Sequence, residues 1–445
     1  MSNVYPNEFD QQEELRLRSE LLYGGPWRGP LIVRGEGAYC YDHNEKEYLD
    51  CESQAWSLAL GFNNQEVMDA VFEQAKYVHH IKGGLNTFPR LKLADQILRV
   101  APQGFDRVSF EPSGSLANEA AMKIAMINRP DARYFVSLYH GFHGNSLATS
   151  AGGWHPTKAK GTYGGGRKFL GFMENFIRVQ NPYCYRCPYN KRCGECGYEC
   201  AEELRRTLQY GVPGPAAAVM VEPVQGSGGQ IPCPSGYLKR VREICDEFGC
   251  FLIFDEMQTG FGRCGEMFGM DYVGVTPDMF TIGKALGNGF PIAGTVISSK
   301  LKGFQDGTDD AFTFCNNPLA QTAALKTIEI MLRDDIPGNA KRMGAVLTKG
   351  LREIQKRYPV MGDVRGPGLH IGVEMVKDPV TKEPDAKLAS DIYDFGLENG
   401  IIMGLGGSSP HVVKIKPPLI INEKDCARFL ECFEKSVAAA LAARK

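Results

Sequence analysis

A chain of 445 residues, 43% hydrophobic and 23% charged, exceeds one small domain, and its formal net charge of −2 gives no basis for expecting nucleic acid or an acidic membrane surface as partner. No apolar run approaches the ~20 residues of a membrane-spanning helix. The N-terminus, MSNVYPNEFDQQEELRLRSE, has neither a secretion-signal core nor transit-peptide character, so a cytoplasmic enzyme of two or three compact units is expected.

Residues 1–30 begin with a charged segment of helical character and turn at Tyr23-Gly24-Gly25-Pro26. Alternation from Leu31 to Asp50 predicts short antiparallel strands joined at Asp42-His43-Asn44. Val67, Ala70, Val71, Ala75 and Val78 recur at helical spacing and predict a helix over Gln65–His80. The middle of the chain then alternates. Strands are predicted at Arg107–Phe110, Tyr134–Leu138, Ala216–Val221, Phe251–Phe254 and Met279–Ile282, with helices at Ala117–Ile127 and Gly236–Phe248. Such alternation predicts a mainly parallel sheet covered by helices, with ligands at the carboxyl ends of its strands. After Pro318 a helical run extends from Leu319 to about Tyr358. Strands within Val364–Val376 and at Val412–Ile415, with helices at Lys387–Asn399 and Lys424–Ala442, predict a smaller α+β unit completed by the N-terminal strands.

Two buried strands end on charge. Phe251–Phe254 runs into Asp255-Glu256, and Met279–Ile282 runs into Gly283-Lys284. Charges there are costly unless paired or in chemical use. Asp255-Glu256 could cap the next helix, and Lys284 could be a solvated strand-end lysine. Equally, a buried acid can hold a proton on a heterocyclic nitrogen, and a desolvated lysine becomes a nucleophile toward carbonyls.

Two further turns bear on that choice. Ser113-Gly114-Ser115 offers backbone N–H groups and hydroxyls at a helix N-terminus, a phosphate cradle as readily as an ordinary cap. Tyr139-His140-Gly141-Phe142-His143-Gly144 can present a flat face to a planar ligand or pack beneath a loop. Cradle, aromatic plate, acid and lysine together are the parts that pyridoxal phosphate requires: a lysine for the Schiff base and an acid to keep the pyridinium protonated.

The ordered set Asp255-Glu256-Met-Gln258-Thr-Gly260-Phe-Gly262-Arg263-Cys-Gly265, then Pro277-Asp278, Lys284, Gly289 and Pro291, closely resembles the signature of class III (omega-type) aminotransferases, which are fold-type I pyridoxal phosphate enzymes. The resemblance runs from Tyr23-Gly24-Gly25 through Glu222-Pro223 to Pro417-Pro418-Leu419. It implies an α/β architecture with a mainly parallel seven-stranded sheet. A large cofactor domain would span 61–324 and carry a cysteine-rich insertion at 181–200. Residues 1–60 would join a small α+β domain at 325–445.

By the same resemblance Lys284 is the Schiff-base lysine and proton shuttle, and Asp255 is the partner of the pyridine nitrogen. Gln258 lies near the phenolic oxygen, Ser113, Gly114 and Ser115 form the phosphate turn, Tyr139 stacks on the ring, and His140 and Glu222 complete the cofactor's surroundings. Thr313 would reach the phosphate of a neighbouring subunit, which implies a homodimer or a dimer of dimers. Arg365, with Gln54 and Trp56, would bind substrate, its planar fork suiting a carboxylate. The sequence departs from the family pattern at Leu116, Cys315 and Asn316, which bears on the shape of the phosphate site.

The segments Glu52–Trp56 and Val376–Pro384 look most like the branch containing dialkylglycine decarboxylase and alanine–glyoxylate-type aminotransferases. The implied reaction moves an amino group from a small amine or amino acid to a 2-oxo acid such as pyruvate, glyoxylate or 2-oxoglutarate. The same branch leaves open an ammonia-lyase or phospho-lyase acting on a small amino phosphate or phosphonate, and a decarboxylating transaminase.

Five of the 14 cysteines, Cys184, Cys187, Cys193, Cys196 and Cys200, crowd one segment. Two Cys-x-x-Cys pairs and a fifth cysteine suit a structural zinc or an iron–sulfur cluster; reduced or disulfide-paired thiols without metal are the alternative. For a metal, the resemblance points to Cys184, Cys187, Cys196 and Cys200, with Cys193 as alternate. Such a metal would pin the insertion and take no part in the chemistry.

Overall fold

Ala216–Val221 is buried at every position, as is Met279–Ile282, and Phe251–Asp255 is buried after its first residue. Strands with no solvent face need neighbours on both edges and cover on both faces. In the computed structural model, which describes residues 11–22, 29–153 and 173–444, they form the middle of a seven-stranded sheet. The order is 105–111, 293–298, 279–282, 251–255, 216–221, 134–138, 176–179. Only Ala293–Ser298 runs antiparallel to its neighbours. Phe254 pairs with Phe280 and Asp255 with Thr281, so the chain leaves both strands at one carboxyl edge, with Asp255 and Lys284 beside each other there.

The helix Gly114–Asn128 starts at that edge. Its N-cap, Ser113, accepts from the N–H of Leu116, and Ala117, Ala120, Ala121 and Ile124 lie buried against the sheet. The remaining strands form two four-stranded sheets and one short hairpin. Ile32–Glu36, Tyr39–Asp42 and Glu47–Asp50 are antiparallel, and Ile401–Ile402 joins them parallel to Leu49–Asp50. Met361–Arg365, Ile371–Met375, Val412–Ile415 and Gly404–Gly406 make the other. The N-terminal strands are therefore tied to the C-terminal third.

Several elements differ from the sequence reading. The helix over 65–80 ends at Ala75, because Tyr77 and Val78 find no core and are exposed. The run after Pro318 divides into Pro318–Arg333 and Ile336–Arg357. Pro337 lacks the N–H that a helix interior needs, and Asp335, at φ 47°, starts the second helix by accepting from Gly338. Phe88–Val100 is a helix, and Phe176–Val179 and Ala293–Ser298 are strands; none stands out in the sequence by periodicity. The turn expected at Tyr23–Pro26 lies outside the described residues. Among the described residues no helix is long and apolar enough to cross a membrane.

Candidate active site

Asp255 is 3% exposed and fully engaged on two of its sides. Its Oδ2 accepts from Asn118 Nδ2 at 2.9 Å and from His143 Nδ1 at 2.8 Å; its Oδ1 accepts from the N–H of Met257 at 3.1 Å. Asn118 is itself fixed, donating to the carbonyl of His143 and accepting from Thr281 Oγ1, each at 2.7 Å. A carboxylate has about four acceptor positions, and three are filled. Burial alone would raise the pKa of Asp255; the hydrogen bond and charge of His143, with the Lys284 ammonium, outweigh it and hold the acid below its ordinary value. Burial would likewise lower His143, and Asp255 reverses that, so His143 is raised. Each member of the pair favours the charged form of the other.

Lys284 follows the neighbouring strand in the left-handed region, at φ 47°. Burial lowers its pKa, while Asp255 and Glu222 pull it back upward. Glu222 is buried, accepting from the N–H groups of Phe142 at 3.0 Å and Gly226 at 3.1 Å. Burial and the charge of Asp255 push it up to about 7 against the opposing His143. Gly226 is required next to it: a β-carbon there would stand 1.6 Å from Gln258 Oε1. Ser115 Oγ accepts from the N–H of Asn145 at 3.0 Å. At Gly144, with φ +135°, a β-carbon would come within 2.3 Å of that oxygen.

Tyr139 is held by its backbone, donating to Val179 at 2.7 Å and accepting from Gln225 Nε2 at 2.9 Å. The His140 ring meets Tyr183 edge-on at 5.5 Å. Thr313 is exposed in the loop before Pro318.

On the opposite side stands Trp56, in an unusual turn. Ser53, Gln54, Ala55 and Trp56 have φ of 41°, 45°, 62° and 68°, a left-handed helical turn of four non-glycine residues. Each such residue costs roughly 1–2 kcal/mol. Gln54 is exposed and its amide donates to Asp50 Oδ2 at 3.3 Å. The Trp56 indole is buried and faces three ammonium groups, with Lys284 Nζ 5.3 Å, Lys414 Nζ 4.8 Å and Lys416 Nζ 3.5 Å from its ring centroid.

Arg365 does not meet the expectation for it. Its side chain is 9% exposed and every nitrogen is engaged. Nη1 pairs with Asp363 at 2.9 Å and Glu374 at 2.6 Å, Nε donates to the carbonyls of Gly229 and Gln230 at 3.1 and 3.2 Å, and Nη2 donates to Gly229 O at 2.7 Å and Tyr183 Oη at 3.1 Å. No donor remains for a substrate carboxylate. Two other lysines, Lys414 and Lys416, lie over the Trp56 ring. Sequence reasoning missed both, although Lys-Ile-Lys on a strand puts two lysines on one face, immediately before the Pro417-Pro418-Leu419 motif. Burial lowers Lys414 and pushes Lys416 down to about 7. Glu52 lies between them; burial would raise it, and the two lysines hold it down.

The model of the family described as Aminotransferase class-III matches residues 26–437. The chain belongs to the class-III aminotransferases. This aminotransferase is 33% identical to a leucine/methionine racemase of Thermococcus litoralis, over 92% of its own length and 91% of that protein's. It is 32% identical to a taurine–pyruvate aminotransferase of Bilophila wadsworthia, over 91% of each chain. Its fold superposes with a TM-score of 0.85 on a PLP-bound amine transaminase from an uncultivated Pseudomonas species, at 29% identity, covering 93% of this chain and 95% of the other. It is a pyridoxal phosphate-dependent enzyme, and its reaction transfers an amino group to a 2-oxo acid.

The residues present fit that cofactor. Gln258 Oε1 and His143 Nε2 are buried without a hydrogen-bond partner among the described residues, and Asp255 keeps one acceptor position open. The metal expected at the cysteines has no such support. Cys184, Cys187, Cys193, Cys196 and Cys200 all line one cavity of about 20 Å³, yet among the described residues no group of three or more His, Cys, Asp or Glu side chains is arranged to hold a metal. Cys184 Sγ turns to the carbonyl of Pro182 at 3.6 Å. The segment is held by Tyr183 and Arg186, which both hydrogen-bond to the buried Glu374.

Proposed function

We propose that this aminotransferase takes its amino group from a small amine or amino acid that carries an acidic group, with Lys284 as the reacting lysine. Pyruvate, glyoxylate or 2-oxoglutarate would be the acceptor. The observation that carries the reading is the placement of Asp255 and Lys284 at the ends of adjacent strands, with Trp56 and two further buried lysines across from them.

Pyridoxal phosphate, when bound, supplies the electron sink that lets a proton leave the carbon bearing the amine. Asp255 would hold a proton at the ring nitrogen, with Asn118 and His143 aiming its carboxylate. Ser113, Gly114 and Ser115, at the start of a 15-residue helix, would hold the phosphate with backbone N–H groups and the helix dipole. Gln258 would hydrogen-bond the phenolic oxygen, Tyr139 would stack on the ring, and His140 and Glu222 would complete its surroundings. Lys284, its pKa lowered by burial, gives up its proton more readily than a solvated lysine, which suits attack on a carbonyl and proton transfer. Lys414, backed by Lys416, attracts the donor's carboxylate or sulfonate; Trp56 closes the pocket around its carbon chain, with Gln54 at the rim.

The site reads best in a cytoplasmic homodimer. Phe72, Tyr77, Leu85, Phe88, Leu91 and Phe314 are exposed on segments that touch one another, through the His80–Phe314 ring contact and the Asn316 Nδ2 bond to Leu85 O at 2.7 Å. A second copy would cover this patch, and Thr313, next to Phe314, would reach the partner's phosphate turn. All 14 cysteines are free, which suits a reducing compartment.

The test is a half-reaction. Holoenzyme mixed with taurine, L-methionine or L-alanine and no 2-oxo acid should lose its visible absorption in one turnover and recover it on addition of pyruvate. Sustained release of ammonia, carbon dioxide or phosphate would contradict the reading, as would racemisation of L-methionine without formation of a 2-oxo acid.

A further inference from the structure

The left-handed turn at 53–56 should not persist unaided. Four consecutive L-residues with positive φ are each disfavoured by contact between β-carbon and carbonyl oxygen, and none is glycine. Strain of this kind survives only where the surroundings over-determine it, and it concentrates at functional sites. What over-determines it here is largely one residue.

Lys416 touches the 51–56 segment five times. Its N–H donates to the carbonyl of Cys51 at 2.9 Å, and its own carbonyl accepts from Ser53 Oγ at 2.8 Å. Its ammonium donates to the carbonyl of Glu52 at 3.0 Å, pairs with the Glu52 carboxylate, and lies 3.5 Å from the centroid of the Trp56 ring. Glu52 in turn accepts from the N–H of Ala55 at 2.9 Å, inside the turn. A lesser hold comes from Arg263 Nη2, which donates to Ser53 Oγ at 3.1 Å. Lys416 is wholly buried, and a buried ammonium is an expensive way to fill space unless its charge has a use. The use visible in the structure is to bind the start, the carboxylate cap and the last side chain of one strained turn.

We propose that Lys416 is a positioning residue: it clamps the 53–56 turn in its left-handed form and so fixes the Trp56 ring against Lys284. The ring shields the Lys284 amine from water. Loosened, it would admit water, favour the lysine's charged form and slow its reaction with a carbonyl. The importance of this device rests on Lys284 being the reacting lysine, whereas the state of the turn can be read without it.

The test uses the full-length apoenzyme with Trp27 and Trp154 replaced by phenylalanine, leaving Trp56 as the sole tryptophan. Lys416→Met should shift its emission to longer wavelength and raise acrylamide quenching several-fold. Ser53→Ala, which removes one of the five contacts, should do the same to a smaller extent and covers the case in which Lys416→Met fails to fold. Adding Ala55→Gly, which adopts left-handed geometry without strain, should return the emission toward the parent value. In parallel, pyridoxal phosphate added to the apoenzyme should react at least threefold more slowly in Lys416→Met and recover with Ala55→Gly.

Unchanged emission in both single variants would overturn the proposal. So would a change that Ala55→Gly fails to restore, since that is general loosening and not release of this turn. A restored emission with an unaltered rate of cofactor attachment would overturn the link to Lys284. Failure of the Lys284 reading itself shows differently, as cofactor attached to another lysine.

Discussion

His143 Nδ1 stands 2.8 Å from Asp255 Oδ2, with both side chains buried and each stabilising the charge of the other. Hydrogen bonds to charged groups contribute about 1.5–3 kcal/mol, and removing one partner leaves the other uncompensated. His143→Leu should therefore raise the pKa of Asp255 and lower kcat by roughly 10- to 100-fold, the factor that such an energy corresponds to. The check is kcat across pH: the variant's acid limb should move to higher pH. A variant with parental kcat and profile would show that Asn118 and Met257 suffice.

Arg365 and Lys414 should separate stability from binding. Arg365→Ala leaves Glu374 and Asp363 beside an empty space, and breaking a buried pair costs about 3–5 kcal/mol, so the melting temperature should fall sharply. Lys414→Met removes one of the two lysines that hold Glu52 ionised and should lower the melting temperature less than Arg365→Ala does, while KM for an anionic donor such as taurine rises about tenfold or more. Thermal melts and steady-state kinetics on both variants decide it. The opposite pattern would return the substrate's acidic group to Arg365.

Glu222 gives a pH dependence with a definite sign. Its folded pKa of about 7 is raised from the ordinary carboxylate value, so between about pH 4.5 and 7 the folded state binds more protons than the unfolded one. Stability from this group is present at low pH and is lost as pH rises through 7. Glu222→Gln mimics the protonated acid. Its melting temperature relative to the parent apoenzyme should improve between pH 5 and pH 8, by an amount on the order of 1–3 kcal/mol. A relative melting temperature that is flat or falls with pH would show that Glu222 stays ionised.

Gly144→Ala tests the phosphate turn. The new methyl would meet Ser115 Oγ at 2.3 Å on a backbone of φ +135°, so Ser115 must move. Affinity for pyridoxal phosphate, titrated on the apoenzyme, should weaken by about tenfold or more, with little change in far-ultraviolet circular dichroism. Parental affinity would place the phosphate elsewhere.

What the sequence disclosed follows from how each residue works. Asp255 and Lys284 are legible because one ends and the other closely follows a buried, mainly apolar strand, where a charge has no structural excuse. Ser113–Ser115 is legible as a turn because helix capping has a local code. Arg365 misleads for the converse reason. Its partners Asp363, Glu374, Tyr183 and Gly229 come from four separate segments, and no reading along the chain shows that they exhaust its donors. The left-handed turn at 53–56 is invisible because Ser-Gln-Ala-Trp carries no glycine to announce positive φ. The cysteine segment shows a spacing that suits a metal, while its orientation is set by Tyr183 and Arg186 reaching Glu374, contacts nearly two hundred residues apart. His143 lay inside a motif read for its aromatic and glycines, and only the fold brings it to Asp255.

The central claim is that Lys284, among the three lysines around Trp56, is the one that holds the cofactor. The direct measurement is borohydride reduction of the holoenzyme followed by mass mapping of its peptides. The pyridoxyl mass should fall on Lys284 and vanish from that peptide in Lys284→Ala. A label on Lys414 or Lys416 in the parent enzyme would contradict the account.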